Sequence, residues 1–452
     1  MINPYIFRAY DIRGIYKKDI DEDLMFKIGR VLGKKKKLFV VGCDIRKSGA
    51  SLSKALIKGL FASGAEIIYT GPASFGQALF AGFYYKSYQT LYITASHLPS
   101  QWNGLKMYYG NGLPFSEQEI IKLRDKTINI KSVVIAKDVK HYLFKKINAK
   151  KIYLEYFLEK FAGLKNNNLK IVVDCGNGAM CLSACEVFRK IGFKVIELNC
   201  KVDSKQLDKK GEPSKKNTKQ LQQKVKKEKA DFGVAFDGDG DRAIIIDNKG
   251  GYLTGNETGV ILAKNILEKS KNKKIVITVS CSMAFEYELN KLKAKIIRVP
   301  VGHTFIIRGC DKHKAILGVE ESSHIVFSQY FLFDDAMLTP LKIAEIISEK
   351  NKKLTNFLDN LKIWVFEEIR FSCVDDKKFQ VIKNLKKVLK AKFKNINYTD
   401  GIKINFNNAW ILIRVSNTSP IIRLYVEAEN KKVFEKTRQK FAKILEKEIK
   451  KI

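Results

Sequence analysis

The sequence predicts an α/β protein in which three similar α/β domains with parallel-rich mixed sheets precede a C-terminal α+β domain. Three observations carry that prediction. First, one design recurs three times: a run of β-branched residues ends in small residues, a helical pattern follows, and a second apolar strand closes the unit. Second, these strands are apolar along their whole length, as strands in parallel sheets covered on both faces are. Third, the length of 452 residues exceeds what one core supports and calls for two to four domains.

The elements follow in chain order. "KKLFVVGCDIRKSGASLSKALIKGLFASGAEIIYTG" reads as strand, glycine-serine loop, helix and strand. "LKIVVDCGNGAMCLSACEVFRKIGFKVIELN" and "KKIVITVSCSMAFEYELNKLKAKIIRVPVG" repeat the order. Ligands of such sheets gather outside the carboxyl ends of the strands, where the loops lie. The lysine-rich stretch 201–229 reads as a polar loop and helix on the second domain, and the basic run 350–353 marks the approach to the last. There "GIKINFNNAWILIRV" and "PIIRLYVEAE" read as neighbouring strands. A helix follows from about Lys431, with Phe434, Phe441, Ile444, Leu445 and Ile449 on one face. The boundaries expected are 1–149, 150–251, 252–362 and 363–452.

Composition narrows the class. With 45% hydrophobic and 29% charged residues, no signal-like segment and no apolar run near the roughly 20 residues of a bilayer span, a cytoplasmic protein is expected, with no membrane partner. The eight cysteines form no CxxC pair and read as reduced thiols; structural zinc, which favours tighter spacing, is not expected. The net charge of +36 would suit nucleic acid. The excess is lysine scattered along the chain, with no nucleic-acid-binding module, so nucleic acid is excluded as a partner.

Chemistry concentrates in a few stretches. In "DFGVAFDGDGDRAIIID", residues 231–247, Asp237, Asp239 and Asp241 alternate with glycines between two apolar strands. Three such carboxylates repel unless a cation compensates, and hard oxygen ligands suit Mg²⁺ or Ca²⁺. An EF-hand needs glycine sixth and glutamate twelfth; Arg242 and Asn248 stand there, so Mg²⁺ with an open position fits better. "RVSNTSPIIR", residues 414–423, sets Ser416, Asn417 and Thr418 beside Arg414, donors that grip a phosphate as readily as they form an ordinary turn. "GVEESSHIVF" offers Glu320, Ser322 and His324 to sugar hydroxyls or to solvent. "TASHLPSQWNGLK" places Ser96 and His97 after a strand, but Thr94 and Leu98 occupy the glycine positions of a nucleophile elbow. Serine hydrolase, Rossmann dehydrogenase and P-loop kinase are each excluded by a missing signature.

Together with "FRAYDIRG" at residues 7–14, these stretches resemble the α-D-phosphohexomutase family, which includes phosphomannomutase and phosphoglucomutase. The likeness covers nearly the whole chain, in the family's order, and "VVDCGNGA", "FDDAM" and "DGIKINF" support it. It implies four domains around a central cleft and interconversion of hexose 1-phosphate and hexose 6-phosphate, of mannose and/or glucose, through a phosphoserine enzyme and a 1,6-bisphosphate. A phosphoglucosamine mutase is the alternative, and an inactive binding or regulatory homologue is an alternative of another class.

The resemblance implies the residue roles as well. Ser96 is the phosphoserine and completes a Mg²⁺ site with Asp237, Asp239 and Asp241. His97 and Lys106 steady the transferring phosphoryl, Arg242 is a catalytic residue beside the metal loop, and Lys106, Arg13 and His303 supply acid and base as a group. Tyr10 and Arg13 line the cleft, and Glu320, Ser322 and His324 read the sugar. Arg414, Ser416, Asn417, Thr418 and Arg423 hold the resident phosphate. A hexose phosphate partner, a bisphosphate activator and a monomer or weak homodimer are expected. Departures from the family pattern fall at Leu98, Ser280, Ile307 and the EESSH loop, and they bear on the choice of sugar.

Overall fold

The computed structural model describes residues 2–130, 143–165, 167–362, 364–416 and 420–451. Its residues group into two compact units, one of Met1–Thr258 with Ser322–Asp359, the other of Gly259–Glu321 with Asn360–Ile452. Four sheets divide among them, three in α/β domains and one, at the C-terminus, wholly antiparallel.

The first domain holds β1 (Ile12–Ile15), β2 (Leu38–Cys43), β3 (Glu66–Pro72), β4 (Gln89–Ile93), β5 (Trp102–Tyr109) and β6 (Phe144–Lys146) in the order β1-β5-β4-β2-β3-β6. Strands β2, β3, β4 and β6 are parallel, whereas β5 runs antiparallel to both β1 and β4. All five residues of β4 are buried, as a central strand covered on both faces requires. The helices Glu22–Leu32 and Gly49–Ala62 cross backbone to backbone: a Cβ on Gly59 would lie 2.1 Å from the Phe26 carbonyl oxygen. Cross-strand partners share a face, and Arg13 pairs with Gly104. Lys106, two residues along β5, therefore faces the same side as Arg13.

The second domain comprises β7 (Lys170–Asp174), β8 (Lys194–Leu198), β9 (Phe232–Phe236) and β10 (Ala243–Ile246), ordered β10-β9-β7-β8. The pairs β7–β8 and β7–β9 are parallel, β9–β10 antiparallel. Phe236 pairs with Ala243, so residues 237–242 form the closed loop between the two strands. The lysine-rich stretch supplies the helix Lys219–Glu228, which buries Leu221 and Val225.

In the second unit, β11 (Lys274–Thr278) is flanked in parallel by β12 (Lys295–Val299) and β13 (Leu317–Val319). The next strand, β14 (Ile325–Phe327), lies in the first unit. The last domain orders β15 (Val365–Ser372), β16 (Ile396–Asn397), β17 (Ile402–Asn405), β18 (Ala409–Val415) and β19 (Ile421–Ala428) as β15-β19-β18-β17-β16. Here one sequence expectation needs correction: "GIKINFNNAWILIRV" is two strands, not one. Asn407 and Asn408 make a hairpin loop, closed by the Phe406 N–H on the Ala409 carbonyl at 2.8 Å, because asparagine tolerates the turn conformations that tight hairpins need. The C-terminal helix, Lys431–Ile449, packs Phe434, Phe441 and Leu445 into this domain's core, with Ile444 and Ile449 at its margin. Among the described residues no helix is long and apolar enough to cross a membrane.

One buried charge in this unit has a measurable consequence. The Lys403 ammonium lies 4.0 Å from the Trp410 ring centre and donates to the Val279 carbonyl at 2.6 Å. Burial, helped by Arg298, pushes its pKa down to about 7. An unfolded lysine titrates near 10.4, so between about 7 and 10.4 the unfolded chain binds a proton that the folded chain lacks. Stability then rises with pH across that window. Lys403→Met is expected to flatten this slope in thermal unfolding of the C-terminal domain, and a slope equal to the wild type's refutes the assignment.

Candidate active site

Strand β4 ends at Ile93, and the chain then turns through Thr94 to Ser96, which takes φ +52°, a left-handed conformation costly for a residue with a side chain. Its surroundings hold it there. The Ser96 N–H donates to Thr94 Oγ1 at 2.8 Å. Arg46 Nη2 donates to the carbonyls of Ser96 at 2.8 Å and Leu98 at 2.6 Å. Asp44 in turn accepts from the Arg46 N–H at 2.9 Å and the Thr94 hydroxyl at 2.7 Å. Sequence reasoning passed over Asp44 and Arg46, although "CDIRKSG" follows a strand as a site loop should.

The aspartate loop folds around one of its own carboxylates. Asp237 Oδ1 accepts the N–H groups of Gly240, Asp241 and Arg242 at 3.1, 3.2 and 3.2 Å. Gly238 is pinched on both sides: a Cβ there would come within 2.5 Å of the Ser96 carbonyl oxygen, and a Cβ on Gly178 within 2.7 Å of the Gly238 carbonyl oxygen. That close approach brings the Ser96 hydroxyl within 3.2 Å of Asp237 Oδ2, where it donates. Asp237, Asp239 and Asp241 are all buried, and one oxygen of each lies within 4.8 Å of the others.

Cations answer this concentration of charge. Lys106 Nζ donates to Asp239 at 2.9 Å and Asp241 at 2.5 Å, and sits 4.7 Å from the Phe75 ring centre. Burial opposes its charge, but Asp239 and Asp241 hold the ammonium above its ordinary pKa. Arg242 donates to Asp237 Oδ2 through Nε and Nη2, both at 3.2 Å. Arg13 is tied to Asp11 at 2.7 Å, and against burial this pairing, with help from Asp239 and Asp241, raises its pKa. Burial and the charges of Arg242 and Arg13 push His97 well below its ordinary pKa. A guanidinium can only donate, so His97 Nδ1, 2.9 Å from Arg242, accepts, and the neutral ring carries its proton on Nε2. Burial and Asp241 raise the pKa of Asp237 itself.

The three aspartates fit a hard divalent cation. They supply only oxygen donors, and Asp239 Oδ1, fully buried, has no hydrogen-bond partner among the described residues. The first unit also contains Tyr10, half-buried at the bend before β1, and Ser322, half-buried before β14. His324 Nδ1 pairs with the buried Asp334 at 2.5 Å and lies 3.9 Å from Asp241. Asp334 was not among the predicted site residues, though "FDDAM" had signalled it.

The second unit carries the remaining predicted residues. His303 opens the helix His303–His313 after Gly302, whose φ of +140° only glycine adopts readily. Glu320 is buried, and its neighbour Glu321 accepts from the Ser280 hydroxyl at 2.5 Å. Burial and Glu320 push Glu321 up to about 7. Arg414 is paired with Asp400 at 2.8 Å, and Asp400 also accepts the Val301 N–H at 2.9 Å. The Ser416 N–H donates to the Ile421 carbonyl at 3.0 Å, and the buried Lys378 donates to the Ser416 carbonyl at 2.8 Å. Arg423 pairs with Glu368 at 3.1 Å. Asn417 and Thr418 lie outside the described residues. Glu321 and Lys378 were missed, the first because Glu320 drew attention, the second because a lysine in a lysine-rich helix carries no signal.

Removing one partner of a buried ion pair costs about 3–5 kcal/mol. Lys106→Met is expected to lose stability on that scale in urea unfolding with chelator present, and millimolar Mg²⁺ to restore more stability to the variant than it adds to the wild type. Equal stability of variant and wild type in chelator would remove Lys106 from the charge balance.

Comparison with known proteins identifies the family. Residues 4–142, 151–251 and 254–362 match phosphoglucomutase/phosphomannomutase alpha/beta/alpha domains I, II and III, and residues 368–444 match the C-terminal domain. Phosphoglucosamine mutase of Methanocaldococcus jannaschii is 31% identical over 94% of this chain and 95% of its own length. Phosphoglucomutase/phosphomannomutase of Thermococcus kodakarensis is 29% identical over 98% and 99%. Among solved structures, a phosphoglucomutase/phosphomannomutase family protein of Burkholderia thailandensis superposes with a TM-score of 0.88 at 24% identity, over 99% of this chain and 98% of the other. An Aspergillus fumigatus N-acetylphosphoglucosamine mutase in complex with GlcNAc-6P and magnesium gives 0.64 at 13% identity, over 99% and 96%. Four family domains in order, and a relative above 30% identity along nearly the full length, show that the chain belongs to the phosphohexomutase family of intramolecular phosphotransferases.

Proposed function

We propose that the chain interconverts the 1- and 6-phosphates of a hexose, mannose and/or glucose, with Ser96 as phosphoryl carrier. The observation that carries this reading is the Ser96 hydroxyl 3.2 Å from Asp237, inside a cluster of three buried carboxylates and three cations. An acyl nucleophile needs a histidine able to take its proton. Here the near nitrogen of His97, 3.4 Å from Ser96 Oγ, already accepts from Arg242. A phosphate on Ser96 instead meets guanidinium, ammonium and a cation site, which phosphoryl transfer requires.

In this mechanism the phosphoryl group leaves Ser96 Oγ for a sugar hydroxyl. The new O–P bond forms as the serine O–P bond breaks, and the hydroxyl proton passes to His303, the member of the group Lys106, Arg13 and His303 that can take it while Lys106 and Arg13 keep their charge. The resulting 1,6-bisphosphate reorients and returns its other phosphate to Ser96, so a bisphosphate also serves as activator. Lys106 and Arg13, both held protonated, lend positive charge to the phosphoryl oxygens. Arg242 orients His97 while its own charge faces Asp237. Mg²⁺, held by Asp237, Asp239 and Asp241 with the serine phosphate, supplies further neutralisation of those oxygens when bound.

The domains at 1–149, 150–251, 252–362 and 363–452 take the phosphoserine, the metal, the sugar and the resident phosphate in turn. Glu320, Ser322 and His324 are assigned to the sugar, and Arg414, Ser416, Asn417, Thr418 and Arg423 to its phosphate. Asn417 favours the mannose or glucose reading, since the phosphoglucosamine branch more often carries glycine there.

A second reading, glucosamine phosphate, has its own support. Several relatives are named phosphoglucosamine mutase. In addition, Glu321 puts a buried carboxyl beside Glu320 in the sugar loop, where an amino group on the hexose would find a charge partner. Hydrogen bonds to charged groups contribute about 1.5–3 kcal/mol.

Two outcomes are expected. Ser96→Ala abolishes covalent labelling by phosphorus-labelled glucose 1,6-bisphosphate, and labelling that persisted would deny Ser96 its role. With Mg²⁺ and a trace of bisphosphate, kcat/KM compared across mannose, glucose and glucosamine phosphates ranks the two neutral sugars first. A preference for glucosamine phosphate, lost by about tenfold or more in Glu321→Met, establishes the second reading instead.

A further inference from the structure

Three of the eight cysteines gather at one edge of the second domain's sheet. Cys175 follows β7, Cys185 is the second residue of the helix Ala184–Ile191, and Cys200 follows β8. The sulfurs of Cys175 and Cys185 each lie 3.4 Å from the sulfur of Cys200, and all three fall within 4.8 Å of one another. Cys175 and Cys185 are buried, Cys200 half-buried. Cys181, also half-buried, shares a hydrogen bond with Cys175 and has its sulfur 3.6 Å from the Asn199 carbonyl oxygen.

Packing alone does not ask for this arrangement. A buried cysteine acts as a small hydrophobe and is satisfied by any apolar neighbour. Here three side chains from three elements instead point their sulfurs at one spot. A metal bound at about 2.3 Å to each of several thiolates holds them roughly 3.8–4.0 Å apart, close to the spacing found. A disulfide needs about 2.05 Å and could join only two of the three.

We propose that Cys175, Cys185 and Cys200 form a three-thiolate site for a soft d¹⁰ cation, zinc, its fourth position left to a water molecule. The spacing, nine residues between the first two of these cysteines and fourteen before the last, lacks the paired pattern by which zinc sites are recognised in sequence. Its place in the fold gives it a structural task. The turn after Cys175 leads to Gly178, which abuts Gly238 of the aspartate loop, so a cation joining the ends of β7 and β8 to the helix braces that loop from behind.

The test uses the full chain, reduced, with excess Mg²⁺ to occupy the aspartates. Cobalt(II) is expected to give a thiolate-to-metal charge-transfer band and the ligand-field bands of a tetrahedral site. Zinc should quench both at one equivalent and shield three of the eight thiols from a thiol reagent. Cys185→Ser and Cys200→Ser should lose the charge-transfer band while Ser96 labelling by bisphosphate continues, whereas Cys310→Ser keeps it. The proposal is overturned by cobalt spectra without thiolate bands, by eight thiols reacting alike with zinc present, or by a Cys185–Cys200 disulfide in the freshly reduced protein. None of these readouts depends on which sugar the enzyme uses.

Discussion

Three buried carboxylates within 4.8 Å of one another set the constraint around which the first unit is organised. At an effective dielectric of about 20, two like charges 4 Å apart repel by roughly 4 kcal/mol. Three such pairs approach the whole stability of a domain, about 5–15 kcal/mol. The loop survives because positive charge comes to it from three strands' worth of chain. Lys106 arrives on β5, Arg13 on β1, and Arg242 from the loop's own end. The antiparallel insertion of β5 between β1 and β4 makes the first two possible, since it turns Lys106 and Arg13 to the same face.

The same cluster accounts for the strained serine. Ser96 keeps a positive φ because Thr94, Arg46 and Asp44 hold its peptide, and because Gly238 leaves room for its carbonyl. A residue in that conformation costs of order 1–3 kcal/mol. In return its hydroxyl is aimed at Asp237. Arg46 and Asp44 touch no proposed substrate group, yet the direction of the Ser96 hydroxyl depends on them.

In the second unit the chemistry is less uniform. Glu320 and Glu321 stand side by side in the second unit, and burial keeps Glu321 near neutrality, so its charge responds to what binds. Arg414 is held by Asp400, which also accepts a backbone N–H from the third domain. The arginine's aim is thus tied to the start of the His303 helix. Sequence departures from the family at Ser280 and in the EESSH loop meet in one hydrogen bond, Ser280 to Glu321, which makes them a single local change.

Much of this was legible beforehand, and the particular residues show why. Full-length apolar strands followed by helical periodicity gave away the three α/β domains, because burial on both faces leaves its mark on every residue of a strand. The Asp237, Asp239 and Asp241 triplet announced a candidate cation site because the repulsion among them is local in sequence. The hairpin at Asn407 was misread, since a two-residue turn hardly interrupts an apolar pattern. What only the tertiary structure decided are pairings across long stretches of chain. Ser96 meets Asp237 over 141 residues and Lys106 meets Asp239 over 133, while three cysteines with no paired spacing in sequence converge. Local patterns record which face of an element is buried. Which charge answers which, and which sulfur meets which, depends on the distances set when separate elements pack, and no stretch of sequence contains those distances.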